Sequence, residues 1–212
     1  MATRYDAHGA EAEVEPGSRS RVLRNLQGIR SAREMARRES EALFLATQEL
    51  IDSTELDHEF TAADICRIHA LWLGAIYPWA GDYRQVNVAK GGFMFAAAGE
   101  IPRLMREFER GPLREFTPCK FAGLEAQAYA LAVVHTELVL IHPFREGNGR
   151  CTRLLAVLMG FQAGLPALDF SGVQGEEKRR YIAAVQAGLD RDYALMTAVF
   201  ARIIKRTLRL QR

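Results

Sequence analysis

The chain has 212 residues, of which 49% are hydrophobic and 25% charged, and its formal net charge is +2. This composition is ordinary for a globular protein, and the charge gives no reason to expect binding to nucleic acid or to a membrane. The length fits one domain, or one domain with an arm. We place the arm at residues 1–30 and the domain at residues 31–212.

Three cysteines, Cys66, Cys119 and Cys151, are widely spaced and odd in number. That pattern argues against a disulfide framework and shows no zinc-site spacing. The N-terminus is polar and lacks an apolar signal region, and no run is expected to reach the length of a membrane span. We therefore expect a protein of the reducing cytoplasm without a membrane partner.

Residues 1–20 contain scattered glycine, proline and charge and are interpreted as an irregular arm, which a short turn at residues 25–29 docks. Residues 31–51 are rich in Ala, Arg, Glu and Leu, which predicts the first long helix. A basic cluster there is interpreted as a solvated helix face, because acids interleave it. The basic residues are Arg30, Arg33, Arg37 and Arg38, and the acids are Glu34, Glu39 and Glu41.

A second helix is predicted over residues 61–73, where apolar residues recur at helical spacing. His69 lies within it and is interpreted as structural or partly exposed, because nothing near it in sequence is a partner. Further on, Val86 and Val88 alternate with polar residues, and a Gly-Gly pair separates them from Phe93–Phe95. This pattern predicts a β-hairpin, which must lean on helices or bind something to be stable.

The rest of the chain is predicted to be helical, with a long, apolar central helix at residues 124–140. The other predicted helices cover residues 101–108, 154–162, 176–189 and 193–210. The basic end of the last helix fits favourable charge at a helix C-terminus better than a nucleic-acid site. The predicted fold is therefore an all-α bundle with one small β-hairpin.

One stretch, residues 141–153, mixes residue types that core packing does not require. Gly147 and Gly149 flank an Asn at the start of a helix, where unpaired N–H groups and the helix dipole form an anion site. Arg150 and Arg153 share a face of that helix's first turn, and Asn148 can donate to a phosphate oxygen. The combination favours phosphate binding over the alternative, a glycine-rich turn with a surface salt bridge.

Two more residues of this stretch suggest chemistry. Glu146 is an acid among basic groups, which a Mg²⁺ ion bridging phosphates would explain. Histidine is the one residue type in this stretch whose unperturbed pKa lies near neutrality, so His142 is the natural general base for a hydroxyl that attacks phosphorus. A metal site formed with His135 is disfavoured, because the loop before His142 breaks the helical register.

The run from His142 to Arg153 resembles the signature of the Fic family, His-x-Phe-x-Asp/Glu-Gly-Asn-Gly-Arg-x-x-Arg, at every fixed position. The segment Ile76–Arg84 is similar to the family's pattern upstream of its active-site flap. The resemblance covers roughly residues 61–189. It implies a Fic-type helical domain that moves AMP from ATP to a Ser, Thr or Tyr hydroxyl of a target protein and releases pyrophosphate.

The resemblance also implies a role for each matching residue. His142 would take the hydroxyl proton, Glu146 would hold Mg²⁺, and Phe144 would anchor the loop in the core. The nucleotide and phosphate residues would be Phe144, Gly147, Asn148, Gly149, Arg150 and Arg153. The hairpin would be the flap that offers a strand edge to the target. Its residues are Lys90, Gly91, Gly92, Phe93, Met94 and Phe95, of which Lys90 and Met94 would lie near the reacting side chain.

Alternatives remain open within and beyond this resemblance. Relatives with Lys at the position of Gly149 act as kinases, others transfer UMP or phosphocholine, and a weakly active nucleotide-binding module is a further reading. Many Fic proteins carry an inhibitory Ser/Thr-x-x-x-Glu-Gly/Asn segment whose Glu pairs with the second motif arginine, Arg153 here. No Ser or Thr of this chain has Glu four residues on. We therefore expect either a small antitoxin-like partner that supplies the Glu or a divergent internal segment. A homo-oligomer is also open.

Overall fold

The computed structural model describes Asp6–Ala7 and residues 13–210. This part of the chain is mainly helical with one small antiparallel sheet, which confirms the predicted fold class. The helices are α1 (Ala32–Ser53), α2 (Ala62–Leu73), α3 (Ile101–Phe108), α4 (Arg114–Phe116), α5 (Leu124–Ile141), α6 (Asn148–Gln162), α7 (Gly175–Ala187) and α8 (Ala194–Leu210). The strands are β1 (Asp6–Ala7), β2 (Val88–Lys90) and β3 (Phe93–Met94).

The predicted hairpin is formed by β2 and β3. Gly91 and Gly92 connect the strands with φ of +58° and +80°. Positive φ at both residues of a two-residue loop matches the twist of the strands and favours glycine. The sheet order is β1-β2-β3. We did not predict β1, since two residues show no alternation, and the rest of the arm at residues 1–5 and 8–12 lies outside the described part.

The chain divides into two compact units. The first comprises Met1–Ser53, Ala62–Met105 and Ile141–Cys151, and the second comprises Thr54–Thr61, Arg106–Leu140 and Thr152–Arg212. Helix α6 begins in the first unit and continues in the second. The predicted boundary between an arm and a single domain at residue 30 stays a prediction.

The first unit has an apolar core to which the segment before α1 contributes. Its buried members are Val22, Leu23, Ile29, Met35, Ala46, Trp72, Leu73, Ile76 and Tyr77. The side chain of Asn25 closes the predicted turn, since Nδ2 donates to the carbonyls of Leu23 and Ile29 at 3.1 and 3.0 Å. Oδ1 accepts from the N–H of Ile29 at 2.9 Å. This turn fixes the entry of the chain into α1.

The second unit is built around α5, which is buried over much of its surface. Helix α8 shows an amphipathic stripe, with Met196, Val199, Phe200, Ile203 and Ile204 buried at spacings of three and four. One sequence expectation was wrong here: Leu124–Ile141 is long and apolar enough to cross a membrane by length and composition. In this structure 61% of that stretch is buried. The buried core helix of a globular protein passes the same test of length and composition.

Helix α3 ends at Phe108, as the sequence predicts. The chain continues through a π-helical turn, Glu109–Leu113, into the short α4. Proline has no N–H to donate and crowds the preceding turn, so the regular helical pitch changes at Pro112 without reversing the chain.

Candidate active site

The candidate site is the loop between α5 and α6, and it starts with an unusual backbone conformation at His142. Its φ is +52°, in the left-handed region that non-glycine residues rarely adopt. Such strain persists only where the surroundings hold it. The side chain is also buried. The histidine that the sequence indicates as the base is therefore held in one position by its neighbours.

The main neighbour that holds this backbone is Arg84, which is itself 1% exposed. Its Nε donates to the carbonyl of His142 at 2.8 Å, and its Nη1 and Nη2 donate to the carbonyls of Val86 and Ala96 at 2.6 and 2.5 Å. Its backbone N–H donates to the carbonyl of Pro143 at 2.9 Å. Arg84 thus joins the loop to both ends of the hairpin segment.

The side chain of Asn148 closes the loop at the start of α6. Oδ1 accepts from the N–H of Phe144 at 2.8 Å, and Nδ2 donates to the carbonyl of Phe144 at 2.7 Å. Both ends of the amide are engaged by the protein, whereas the sequence led us to expect donation to a phosphate. A phosphate contact by Asn148 stays a prediction, and its backbone at the helix start is the more suitable group.

Phe144 is 1% exposed and stacks on the imidazole of His69, with ring centroids 3.8 Å apart and planes 8° apart. His69 is fully buried, which supports its interpretation as structural and not as partly exposed. Its Nδ1 accepts from the N–H of Gly81 at 2.9 Å, so Nε2 carries the proton and donates to the carbonyl of Glu146 at 3.0 Å. Burial lowers the pKa of His69 to about 4, so the ring is neutral in this role.

Position 147 requires glycine because both the backbone conformation and the lack of free space disfavour a side chain. Its φ is +83°, and a Cβ there would lie 2.7 Å from Cζ3 of Trp72. Its N–H donates to Oε1 of Glu146 at 3.0 Å, so the carboxylate folds back over the turn. Gly149, in contrast, has no heavy atom within 4 Å of an added Cβ. The space beside Gly149 is open to a ligand.

The first motif arginine, Arg150, has a well-defined environment within the first unit. Nη1 lies 2.8 Å from Oε2 of Glu39, and the guanidinium carbon lies 4.5 Å from the centroid of the Trp72 ring. Nη2 lies 3.9 Å from Oε1 of Glu146. The prediction that Glu39 belongs to a solvated helix face was wrong, because its side chain faces this arginine and is 10% exposed.

The hairpin segment lies against the loop between α5 and α6. The Phe95 ring stacks on the His142 imidazole, with centroids 3.6 Å apart and planes 18° apart. Phe95 also packs against the buried Val86 and Val88. Lys90, Gly91, Gly92 and Met94 are exposed at the tip and outer strand. The structure thus brings the predicted flap and the predicted base together.

Arg153 belongs to the second unit, where it has aromatic neighbours. Its guanidinium carbon lies 5.8 Å from the Phe170 ring centroid. The pKa of His135 is lowered to about 3, mainly by burial and to a smaller extent by the nearby charge of Arg153. Nε2 of His135 lies 2.9 Å from the Tyr181 hydroxyl. Burial raises the pKa of Tyr181 to about 12. Within the described residues no carboxylate forms an ion pair with Arg153.

The described side chains suit the expected Mg²⁺ only if the phosphates of a nucleotide supply further ligands. In the part of the chain that is described, no group of three His, Cys, Asp or Glu side chains could hold a metal by itself. Glu146 offers one carboxylate at the start of α6. Mg²⁺ commonly binds through one or two carboxylates and the phosphates of a substrate, so Glu146 suits that arrangement.

The sequence predicted the hairpin and singled out the loop, but it did not show the contacts of three residues that hold the loop, the hairpin segment and Arg150. His69 and Glu146 are 77 residues apart in the chain, and no local signal pairs them. Glu39 could have been suspected, since it follows the buried Met35 at helical spacing on α1. Arg84 ends the second segment that resembles a family pattern, but its contacts with three carbonyls could not be read from that pattern.

Comparisons with known proteins show similarity at the level of a family model, of sequence and of fold. Residues 59–159 match the Fic/DOC family. The chain is 32% identical over 155 residues to "Protein adenylyltransferase Fic" of Aedes aegypti, a match that covers 71% of this chain and 29% of the relative. It is 30% identical over 161 residues to "Protein adenylyltransferase VbhT" of Bartonella schoenbuchensis, covering 75% of this chain and 33% of the relative. The chain therefore spans about a third or less of these relatives.

A solved structure extends the similarity to most of the fold. The N-terminal Fic domain of a VirB-translocated Bep effector protein from Bartonella quintana, with bound ADP, is 25% identical and superposes with a TM-score of 0.69. The match covers 85% of this chain and 89% of that one. Most of the fold is thus shared with a protein whose solved structure contains ADP.

Proposed function

From the match of residues 59–159 to the Fic/DOC family, we propose that this chain is a protein adenylyltransferase. It moves AMP from ATP to the hydroxyl of a Ser, Thr or Tyr side chain of a target protein and releases pyrophosphate. The observation that carries this proposal is the stacking of Phe95 on His142, because it brings the hairpin against the residue that we propose as the base. The names of the relatives from Aedes aegypti and Bartonella schoenbuchensis support the same activity.

The reaction follows from the roles that the loop residues can take. The target hydroxyl oxygen forms a bond to the α-phosphorus of ATP, and the bond from that phosphorus to the bridging oxygen toward the β-phosphorus breaks. Pyrophosphate leaves with the bonding electrons. The hydroxyl proton passes to the His142 imidazole, which is fixed by the Arg84 contact to its carbonyl and by Phe95. Positioning and charge neutralisation supply most of the catalysis.

The phosphates are proposed to bind at the start of α6. The first N–H groups of a helix lack intrahelical partners and point toward an anion, and the helix dipole adds to the attraction. The open space beside Gly149 admits the phosphate chain. Arg150 supplies a guanidinium, and by resemblance Arg153 reaches the γ-phosphate. Phe144, which is buried, contributes by anchoring the loop and touches no ligand in this account.

Glu146 is the residue that would hold Mg²⁺ together with the nucleotide phosphates. When bound, the ion neutralises charge on the phosphates and helps pyrophosphate to leave. The part of Glu146 in this is to present a hard oxygen ligand from a fixed turn, since its Oε1 also accepts from the N–H of Gly147 at 3.0 Å. Its burial keeps this carboxylate in place.

The flap is proposed to bind the target by strand addition. The outer strand β3 lies at the edge of the three-stranded order, and an edge strand can pair with an extended segment. Exposed Met94 and Lys90 would then lie beside the residue that is modified. The target therefore needs an extended, accessible segment that carries the hydroxyl.

Inhibition by a partner is a further part of the proposal. The chain has no Ser/Thr-x-x-x-Glu-Gly/Asn segment, and the described residues place no acid against Arg153. A small antitoxin-like protein that supplies a Glu to Arg153 would fill this role in a cytoplasmic setting. If so, Arg153→Ala in the isolated chain can only lower activity, whereas a gain of automodification on mutating an internal acid would favour internal inhibition.

A label-transfer experiment tests the activity. The purified chain is incubated with a cell lysate and ATP labelled at either the α- or the γ-phosphate, with UTP labelled at the α-phosphate in a third arm. We expect label in protein from α-labelled ATP alone. Transfer from γ-labelled ATP would instead indicate a kinase, transfer from UTP a uridylyltransferase, and ATP binding without any transfer a nucleotide-binding module.

A further inference from the structure

Glu39 of α1 is fixed at both its side chain and its backbone. Oε2 accepts from Nη1 of Arg150 at 2.8 Å, and Oε1 accepts from the Tyr77 hydroxyl at 2.8 Å. The backbone carbonyl of Glu39 accepts from Nε1 of Trp72 at 2.8 Å. All four residues belong to the first unit. An acid in the buried stripe of a helix normally carries a desolvation cost, so three such contacts indicate a specific use.

The contacts of Arg150 restrict which of its nitrogens can reach a ligand. Nη1 is taken by Glu39, and the ring of Trp72 covers a face of the guanidinium at 4.5 Å. Nε is buried and has no hydrogen-bond partner among the described residues. Nη2 lies 3.9 Å from Oε1 of Glu146, which is too long for a hydrogen bond. Nη2 is therefore the nitrogen left beside the expected phosphate and metal residue.

We propose that Glu39 is a positioning residue that orients Arg150 so that Nη2 meets a nucleotide phosphate beside Glu146. The guanidinium is a rigid planar fork, so fixing one of its edges fixes the direction of the other. A pre-oriented arginine loses less conformational freedom when the ligand binds. This inference rests on the proposed function only in taking the ligand to be a nucleotide.

The opposite role would make Glu39 a competitor that withdraws Arg150 from the phosphate. The two roles predict effects of opposite sign on nucleotide affinity. In the positioning role the Glu39 contact persists with nucleotide bound, and removing it weakens binding. In the competing role the contact must break when nucleotide binds, and removing it strengthens binding.

The test is a double-mutant cycle on the affinity for ATP with Mg²⁺, measured by calorimetry on the wild type, Glu39→Gln, Arg150→Ala and the double variant. We expect Glu39→Gln to weaken ATP binding about 10- to 100-fold, the range found when supporting residues of a site are removed. In the Arg150→Ala background the same change is expected to cause no further loss, because Glu39 acts through Arg150. Tighter binding in Glu39→Gln, or an equal loss in both backgrounds, would overturn the proposal.

Tyr77→Phe is the matched control for fold stability. It removes the hydroxyl that donates to Oε1 and leaves the Glu39–Arg150 pair in place. We expect a smaller loss of ATP affinity than in Glu39→Gln at a comparable loss of thermal stability, and an equal loss of affinity would overturn the positioning role. If Glu39→Gln does not fold, Glu39→Asp takes its place, with a smaller loss in the same direction expected and a gain contradicting it. Because the readout is binding, a wild type that binds ATP but transfers no AMP would contradict only the proposed function.

Discussion

The guanidinium of Arg84 and the carbonyl oxygen of His142 lie 2.8 Å apart, and this bond supports a backbone with positive φ at the proposed base. The same guanidinium also binds the carbonyls of Val86 and Ala96, which precede and follow the two flap strands. The position of the base and the position of the flap are therefore set by one buried side chain.

Replacing Arg84 by Lys is expected to disturb the flap and the base together. Lysine has fewer hydrogen-bond donors than arginine, so buried carbonyls are left without a partner, at a cost of about 1–3 kcal/mol each. We expect urea unfolding to show a loss of roughly 2–4 kcal/mol and AMP transfer to fall more than ATP affinity. Arg103→Lys, on an exposed ion pair with Glu100, is the control. Equal losses in transfer and in ATP affinity would mean that Arg84 supports the whole unit and not the flap and base.

Gly147 and Gly149 make a matched pair for separating fold from ligand binding. Gly147→Ala forces a Cβ into Trp72 at a φ of +83°, so a loss of stability of roughly 2–4 kcal/mol is expected. Gly149→Ala meets no atom within 4 Å and lies in α6, so stability should rise by up to about 1 kcal/mol. Its methyl enters the space assigned to the phosphates, so ATP affinity should fall. Unchanged ATP affinity in a stable Gly149→Ala variant would remove that space from the proposed phosphate site.

The flap edge can be tested at Met94 without breaking the hairpin. Lys90 pairs with Phe93 beside the turn, and the N–H of Phe95 donates to the carbonyl of Val88 at 3.2 Å. In this antiparallel register the N–H of Met94, between them, points away from β2. Met94→Pro removes that outward donor, and Met94→Ala keeps it. We expect the proline variant to transfer much less AMP than the alanine variant at similar ATP affinity. Similar transfer in the two variants would argue against strand addition at this edge.

The buried histidines predict an acid-sensitive fold. The pKa of His69 is lowered from an ordinary 6.5 to about 4, so the unfolded chain takes up a proton first as the pH falls. Stability from neutral His69 is therefore complete above pH 6.5 and is lost as the pH falls toward 4, by roughly 3 kcal/mol. His135, with a pKa of about 3, adds in the same direction.

Urea unfolding between pH 7 and pH 4 measures this dependence. His69→Gln keeps a donor and an acceptor and removes the titrating group, so its stability should fall less steeply with pH than that of the wild type. The same slope in both proteins would show that His69 does not contribute in the way its burial implies.

The residues of the proposed site could be named from the sequence because they are consecutive. The run from His142 to Arg153 contains the residues that we propose as anion site, base and acid, and the Gly91–Gly92 pair forms the predicted turn. What supports them was not predictable, since His69, Arg84 and Glu39 act across long chain separations on backbone carbonyls or on Arg150. A carbonyl acceptor leaves no trace in residue type, so these contacts are visible only in the fold.

Glu39 illustrates why a correct helix prediction can still misplace a side chain. Its neighbours Arg37, Arg38 and Glu41 are exposed and pair with one another, as expected of a solvated face. Glu39 turns the other way, together with Met35 and Ala46. The charge pattern of the segment correctly predicts that most of its charged side chains are exposed. The burial of Glu39 follows instead from its helical spacing relative to the apolar residues.

The most direct test of the central claim is a paired measurement on His142→Ala, with α-labelled ATP for transfer and calorimetry for binding. Since the imidazole moves a proton while other groups hold the phosphates, transfer should fall by roughly 10²–10⁴-fold or more while ATP affinity stays within about twofold. Retained transfer, or lost ATP binding in a variant that is still folded, would contradict the assignment of His142 as the base that activates the target hydroxyl.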